Sequence, residues 1–125
     1  MKREMNIKCP VAVTLHIIGG KYKALLLWHL YGKTLRFSEL HRLVSEATPK
    51  MLTQQLRELE NDGLIVRKVY AVVPPKVEYS LTELGESLFP LLQAMYIWGS
   101  KLLQDEGICP ECSMQLTQAG ECHCH

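Results

Sequence analysis

The sequence of 125 residues lacks several features that mark whole classes of protein. No apolar run reaches the about eighteen residues needed for a membrane-spanning helix, so no membrane association is expected. The N-terminal segment MKREMNIKCP has no apolar centre of the signal-peptide kind, which predicts a cytoplasmic protein. A phosphate-binding loop, a nucleophile elbow and a paired-carboxylate arrangement are all missing, so an enzyme is not expected.

A strong excess of one charge is also missing. The formal net charge is +1, which excludes a protein that coats nucleic acid through its overall positive charge. Any DNA binding must therefore come from a local patch. The length supports one domain, and a hydrophobic content of 47% is enough for a compact core.

The segment TPKMLTQQLRELENDGL, residues 48–64, has the pattern of a helix with two chemically different faces. Thr48 suits the N-cap, Pro49 the first helical position and Gly63 the end. Leucines recur at helical spacing on one face, and the opposite face carries Lys50, Thr53, Gln54 and Arg57. Lys and Arg can neutralise phosphates and Gln and Thr can bond to base edges, which favours a major-groove recognition helix. An ordinary solvated face is the alternative interpretation.

The neighbouring segments have the spacing of a winged helix-turn-helix. Residues 37–44 predict a short amphipathic helix that opens near Ser38, and only a tight turn separates it from Thr48. Residues 64–69 and 77–81 predict two strands, joined by a loop interrupted by two prolines. Arg67, Lys68 and Lys76 on this hairpin could meet the DNA backbone or minor groove. A charged hairpin edge that discourages strand addition explains them equally simply.

One long final helix, capped by Thr82, is predicted to mediate dimerisation. Its apolar residues follow the 4-3 spacing of a helix that packs along another helix: Leu84, Leu88, Leu91, Met95, Trp98 and Leu102. A second apolar stripe would face the chain's own core, so a homodimer is predicted. A single broad core stripe, with the helix bent at Pro90, is the alternative. A symmetric dimer would place two recognition helices on the half-sites of a pseudopalindrome.

Four blocks of the sequence together resemble the HxlR-type winged-helix transcriptional regulators, relatives of the MarR group in fold. The blocks are CPVAVTLHIIGGKYKALLLWHL, LRFSELHRLV, TPKMLTQQLRELENDGLIVRKVY and VPPKVEYSLTELGESLFPLL, and they fall within residues 9–103. The resemblance implies a dimeric regulator that binds double-stranded DNA, with residues 48–62 as recognition helix and 66–79 as wing. It implies groove contacts at Lys50, Thr53, Gln54 and Arg57, backbone contacts at Arg36 and Ser38, and a wing contact at Lys76. Thr48 and Arg67 are also predicted to contact DNA.

Cys9 matches the family's cysteine just before the first helix, a thiol that senses oxidants or electrophiles in some members. The local chemistry supports this role, because a helix N-terminus and the adjacent Lys8 both favour the reactive thiolate. A cap residue without special reactivity is the alternative, since Cys-Pro is also good geometry for starting a helix.

The chain departs from the family pattern at its C-terminal end. Thiols and imidazoles crowd the last seventeen residues: Cys109, Cys112, Cys122, His123, Cys124 and His125. They supply more than the four ligands of a tetrahedral zinc site, and zinc is the leading prediction. Copper(I), an iron–sulfur cluster, a redox-cycling Cys-x-x-Cys pair and an inert polar tail are the alternatives.

These observations predict a mainly α protein with a small β-hairpin wing, a winged helix-turn-helix that dimerises through terminal helices. Residues 1–106 would form that domain and residues 107–125 the Cys/His-rich tail. The predicted function is sequence-specific regulation of transcription, controlled by Cys9 or by metal at the tail. The alternative is a metal-handling or thiol-redox protein whose winged-helix domain contacts other proteins.

Overall fold

The computed structural model describes residues 8–108, which form six helices and one three-stranded sheet. The elements in chain order are α1 (Pro10–Ile18), α2 (Lys23–Leu30), β1 (Leu35–Arg36), α3 (Phe37–Leu43), α4 (Pro49–Asn61), β2 (Ile65–Tyr70), β3 (Lys76–Leu81), α5 (Glu83–Glu86) and α6 (Phe89–Asp105). Within residues 8–108, no helix is long and apolar enough to cross a membrane.

The core is built mainly from leucines at helical spacing. Helix α2, with the sequence KALLLWHL, buries apolar side chains against α3 and α4 because it is apolar on most of its circumference. The side chains that are less than 2% exposed are Leu26, Leu27, Leu30, Leu40, Val44, Leu52, Leu56, Leu59, Leu64, Ile65 and Leu92. They join α2, α3, α4, the start of β2 and α6 in one cluster.

Helices α3 and α4 form the predicted helix-turn-helix. Helix α3 begins at Phe37, next to Ser38 as the sequence predicts, and the carboxylate of Glu39 accepts a hydrogen bond from the Arg36 N–H at 2.9 Å. That contact satisfies a donor at the helix start that has no partner inside the helix. A turn over residues 44–48 then leads into α4.

Helix α4 has the boundaries that the sequence predicts. Thr48 is its N-cap, and the Thr48 Oγ1 accepts from the Met51 N–H at 3.1 Å. At the other end Gly63 adopts a φ of +80°, a left-handed conformation that a glycine reaches without steric cost. The Leu64 N–H then bonds back to the Leu59 carbonyl at 3.0 Å, which closes the helix and turns the chain into β2.

The wing is part of a sheet with the order β1-β3-β2. Strands β2 and β3 are antiparallel, with Ile65 opposite Leu81 and Tyr70 opposite Lys76. The predicted hairpin is therefore present. The sequence did not predict that residues 35–36 would pair with the other edge of β3, because two residues are too few to show strand alternation.

The prediction of one long helix from Thr82 is wrong. The chain forms a short α5 and a separate α6, with a turn at residues 87–88. Pro90 explains the break, since it has no N–H to donate to the Glu86 carbonyl and its ring would clash with that carbonyl in a continuous helix. In the first turn of α6 the missing donor costs nothing.

Helix α6 returns to pack against α2 through aromatic rings. Phe89 stacks on Tyr31 and on Trp28, with centroid separations of 3.8 and 5.2 Å. Tyr96, two turns further along α6, lies 5.6 Å from Trp28. Together with the buried Leu92, these contacts fix which side of α6 faces the domain.

Candidate nucleic-acid interface

Helix α4 presents its polar residues on the side opposite the core. Lys50, Gln54 and Arg57 are exposed and Thr53 is half-buried; these four residues are called the outer face of α4. Together with Phe37, Pro49 and Glu58, they line an open groove of about 590 Å³ between α3 and α4. The outer face thus joins two cations, an amide and a hydroxyl along one groove.

Hydrogen bonds determine what the outer face can offer. The Thr53 hydroxyl donates to the Pro49 carbonyl at 2.8 Å, so its oxygen remains available as an acceptor. The Gln54 Nε2 donates to the Glu58 Oε2 at 3.3 Å. Thr48, the remaining predicted contact of this helix, is exposed, but its hydroxyl oxygen is already the cap acceptor for Met51.

One surface of the wing gathers positive charge around an aromatic ring. Residues that face each other across an antiparallel pair share a side of the sheet, so Arg36, Lys68, Tyr70, Lys76 and Glu78 lie on the same side. The Lys68 and Lys76 ammonium groups each lie 5.1 Å from the Tyr70 ring centroid. Lys76 also pairs with Glu78 at 3.4 Å.

The carboxylate in this cluster is held in its charged form. The pKa of Glu78 is lowered, first by a hydrogen bond from the Tyr70 hydroxyl and further by Lys76 and Arg36. Three cations therefore surround one carboxylate, which leaves the surface locally positive. Arg67 is exposed on the opposite side of the sheet, where it pairs with Tyr79, and Ser38 is exposed in the first turn of α3.

Two further residues, which the sequence did not single out, are linked to the outer face: Glu58 bonds to Gln54, and Lys23 pairs with Glu58. Lys23 is a buried lysine, and its ammonium lies 2.6 Å from the Glu58 Oε1. Lys23 is the only charged residue of the otherwise apolar helix α2 if His29 is counted as neutral. A charge at the start of such a helix was the available signal, because a buried ammonium needs a partner.

Helix α6 leaves an apolar stripe exposed. Leu91, Met95, Trp98 and Leu102 are 37, 44, 71 and 47% exposed, and they are called the α6 stripe. Two more residues of the predicted dimerisation stripe lie outside it: Leu88 packs partly against the core, and Leu84 is 45% exposed on the separate helix α5. Helix α1 also exposes Val11 and Leu15.

Of the residues predicted to sense oxidants or to bind metal, only Cys9 lies within residues 8–108. Cys9 is an exposed free thiol at the N-cap of α1, and its carbonyl accepts from the Val13 N–H at 2.9 Å. The six predicted metal ligands, residues 109–125, lie outside the described residues. In the part of the chain that is described, no cluster of three or more His, Cys, Asp or Glu could hold a metal ion.

A helix-turn-helix followed directly by a two-stranded wing defines a winged-helix protein. The model of the HxlR-like helix-turn-helix family matches residues 17–107. The HTH-type transcriptional regulator YdeP of Bacillus subtilis (strain 168) is 57% identical over 93 residues, which cover 74% of this chain and 73% of YdeP.

Solved structures agree with this match. The HTH-type transcriptional regulator ytcD is 52% identical and superposes with a TM-score of 0.74, covering 78% of this chain and 99% of ytcD. The redox regulator HypR in its oxidized form is also 52% identical, with a TM-score of 0.71 and coverage of 74% of this chain and 96% of HypR. The chain belongs to the HxlR-like helix-turn-helix family and is a regulator of transcription.

Proposed function

We propose that this regulator acts in the cytoplasm as a homodimer that binds pseudopalindromic DNA operators sequence-specifically. The observation that carries the proposal is the outer face of α4, where cations and hydrogen-bonding side chains line one groove above a fully buried leucine face. Such a helix can enter the major groove because its polar residues are free of the core. The positive surface of the wing lies on the same domain, and is suited to the adjacent phosphates.

The α6 stripe supports the homodimer. Four large apolar side chains on one helix are costly to leave in water, and a second copy of the same helix would cover them symmetrically. A dimer of this kind would carry two α4 helices, whose half-sites should lie about 34–36 Å apart, one turn of DNA.

Fluorescence anisotropy of the full chain on labelled duplex tests the proposal. The first duplex would come from the region upstream of the protein's own coding sequence, with a shuffled duplex as the reference. We expect affinity to fall steeply between about 50 and 200 mM salt, because phosphate contacts release counterions. Affinity that is indifferent to both salt and sequence would contradict DNA binding and favour a domain that contacts proteins.

Two substitutions separate base contacts from phosphate contacts. Gln54→Ala should relax the preference for the specific duplex, since it removes a side chain that can bond to base edges. Lys76→Ala should weaken specific and shuffled duplexes alike and should lower the salt dependence. Lys101→Ala, on the exposed surface of α6, is the matched control and should change neither quantity.

Thiol control at Cys9 is a second part of the proposal. The exposed thiol at the start of α1 supports it, and so does the likeness to the redox regulator HypR. We expect a mild thiol oxidant to change DNA affinity in the wild type and not in Cys9→Ser. An oxidant response that persists in Cys9→Ser would move the effect to the C-terminal cysteines, and no response in the wild type would contradict thiol control.

Metal binding at the C-terminal tail is the third part. The support is the donor set in the sequence, Cys109-x-x-Cys112 and the run from Cys122 to His125, which suits zinc. Elemental analysis of reductant-purified protein, before and after zinc addition and dialysis, is the test. About one zinc per chain, lost in Cys109→Ser with Cys112→Ser, is expected, whereas absence of metal after zinc addition would contradict the site.

A further inference from the structure

A buried lysine and a carboxylate connect the back of α4 to its outer face. Lys23 is 7% exposed in its side chain, and its ammonium lies 2.6 Å from the Glu58 Oε1. The other oxygen of the same carboxylate accepts from the Gln54 Nε2 at 3.3 Å. A chain of contacts thus runs from the interior at α2, through Glu58, to an amide exposed in the groove.

The local backbone is shaped to hold this chain of contacts. A Cβ at Gly20 would lie 2.9 Å from the Lys23 Cδ and Cε and from the Gln55 Oε1, so a side chain there would displace them. Gln55 in turn accepts from the Tyr22 N–H at 2.9 Å. Gln55 and Glu58, one turn apart on α4, therefore bind the start of α2 through Tyr22 and Lys23.

Charge gives the pairing a second consequence. Glu58 borders the groove of the outer face, where a lone carboxylate would repel DNA phosphates. Lys23 neutralises it from inside the domain, where the buried ammonium is shielded from DNA. Its hydrogen bond is the main reason that the pKa of Glu58 is lowered.

The orientation of Gln54 follows from its contact with Glu58. A carboxylate accepts and cannot donate, so it holds the NH₂ end of the amide and leaves the carbonyl end, with one remaining N–H, for a ligand. An acceptor beside a donor matches the N6 amino group and N7 of adenine in the major groove.

We propose that Lys23 and Glu58 are positioning residues that fix the Gln54 amide for adenine in each half-site, an inference that rests on the proposed DNA-binding function. Neither residue needs to touch a base. Lys23 acts by holding Glu58 and neutralising its charge, and Glu58 acts by fixing which end of the amide donates.

Selection from a library of random duplexes tests this inference with the full-chain protein. We expect the wild type to enrich a pseudopalindrome with one adenine position in each half that prefers adenine by about tenfold. Gln54→Ala should make that position degenerate. Glu58→Ala and Lys23→Met should make the same position degenerate and leave the other positions intact.

Overall affinity separates the two positioning residues. Glu58→Ala removes a negative charge near phosphate and should raise the affinity for shuffled DNA. Lys23→Met leaves that negative charge uncompensated and should lower the affinity for shuffled DNA severalfold. Glu58→Gln, which keeps an oxygen acceptor, should retain more of the adenine preference than Glu58→Ala. Glu60→Ala on the same helix is the control for loss of an acidic residue and should leave the selected motif unchanged.

Folding is checked by thermal unfolding, and Gly20→Ala provides a variant with all charges retained. It should displace Lys23 and weaken the adenine preference while leaving the other positions of the motif intact. A Gln54-dependent adenine position that persists in folded Glu58→Ala and Lys23→Met would overturn this inference alone. Enrichment of no motif by the wild type would overturn the proposed function together with it.

Discussion

Helices α4 and α6 are both amphipathic, but they leave opposite kinds of surface facing water. On α4 the leucines at 52, 56 and 59 are 0, 1 and 0% exposed, and the outer face is polar. On α6 only Leu92 is fully buried, and the α6 stripe stays exposed beside the aromatic contacts to α2.

The chemistry of each exposed surface decides how it meets a partner. The outer face of α4 is stable in water and can exchange hydration for phosphates and base edges when DNA arrives. The apolar side chains of the α6 stripe are unfavourable in water. Exposed apolar area on this scale favours a lasting contact with another apolar surface. One helix is therefore suited to reversible recognition and the other to assembly.

The largest expected effect comes from placing a charge in the α6 stripe. Trp98→Asp should convert the proposed dimer to monomer, because a buried carboxylate at the centre of an apolar interface has no partner. DNA affinity should fall by about 100-fold or more, since each α4 would then bind its half-site alone. Sedimentation velocity measures the assembly and fluorescence anisotropy measures the affinity.

Gln104→Asp introduces the same charge on an exposed position of α6 outside the stripe. It should leave both assembly and affinity close to wild type. If Trp98→Asp remained dimeric, or if both variants behaved alike, the contrast between the two helices would be wrong.

The inner faces provide the next largest effect. Leu56→Ala removes a side chain that is 1% exposed and should lower the free energy of unfolding by about 2–5 kcal/mol. Leu91→Ala is compared in a Trp98→Asp background, where the protein should be monomeric. The Leu91 side chain is 37% exposed, so its removal should lower the free energy of unfolding clearly less. Urea denaturation of the variants measures both. Equal losses would mean that the stripe is buried without a partner.

Helix α4 was predictable because its signals are local and agree. Thr48, Pro49 and Gly63 mark its ends through caps and φ preferences, and helical spacing assigns its faces. The contact of Lys23 with Glu58 was not predictable in this way. It joins residues 35 positions apart, and only the packed arrangement of α2 against α4 brings them together.

Helix α6 shows the limit of periodicity. The 4-3 spacing continues through Leu84 and Leu88, yet Pro90 ends the regular backbone and separates them from the stripe. The pairing of the two-residue strand β1 was not predicted for a related reason, because it depends on a partner strand, β3, some forty residues away. Local pattern thus predicted the elements with strong ends, and tertiary contacts decided the rest.

Helix α4 starts with a side-chain cap and α6 does not, and Thr48→Ala measures what that cap contributes to stability. Thr48 bonds to the Met51 N–H, whereas α6 begins at Phe89 after Leu88, without a side-chain cap. Thr48→Ala should lower the free energy of unfolding by about 1 kcal/mol. Thr48→Ser, which keeps the hydroxyl, should lose much less in the same urea titrations. A Thr48→Ala variant as stable as wild type would mean that the cap does not hold α4 in place.

The smallest expected effect is the pH dependence of the stability that the Lys23–Glu58 pair contributes at α4. The Lys23 ammonium holds the pKa of Glu58 below its ordinary value of 4.5, first through the hydrogen bond and further through its charge. A carboxyl with a lowered folded-state pKa contributes stability above its unfolded pKa and loses it as pH falls through the folded value. The difference in the free energy of unfolding between wild type and Lys23→Met should therefore be largest near neutral pH and should shrink below about pH 4.5. Urea denaturation at several pH values measures it.

The control is Lys101→Met, which replaces an exposed lysine of α6 and should give a difference without that pH dependence. A Lys23→Met difference that stayed constant or grew on acidification would mean that the buried ammonium stabilises α4 through packing rather than through its charge.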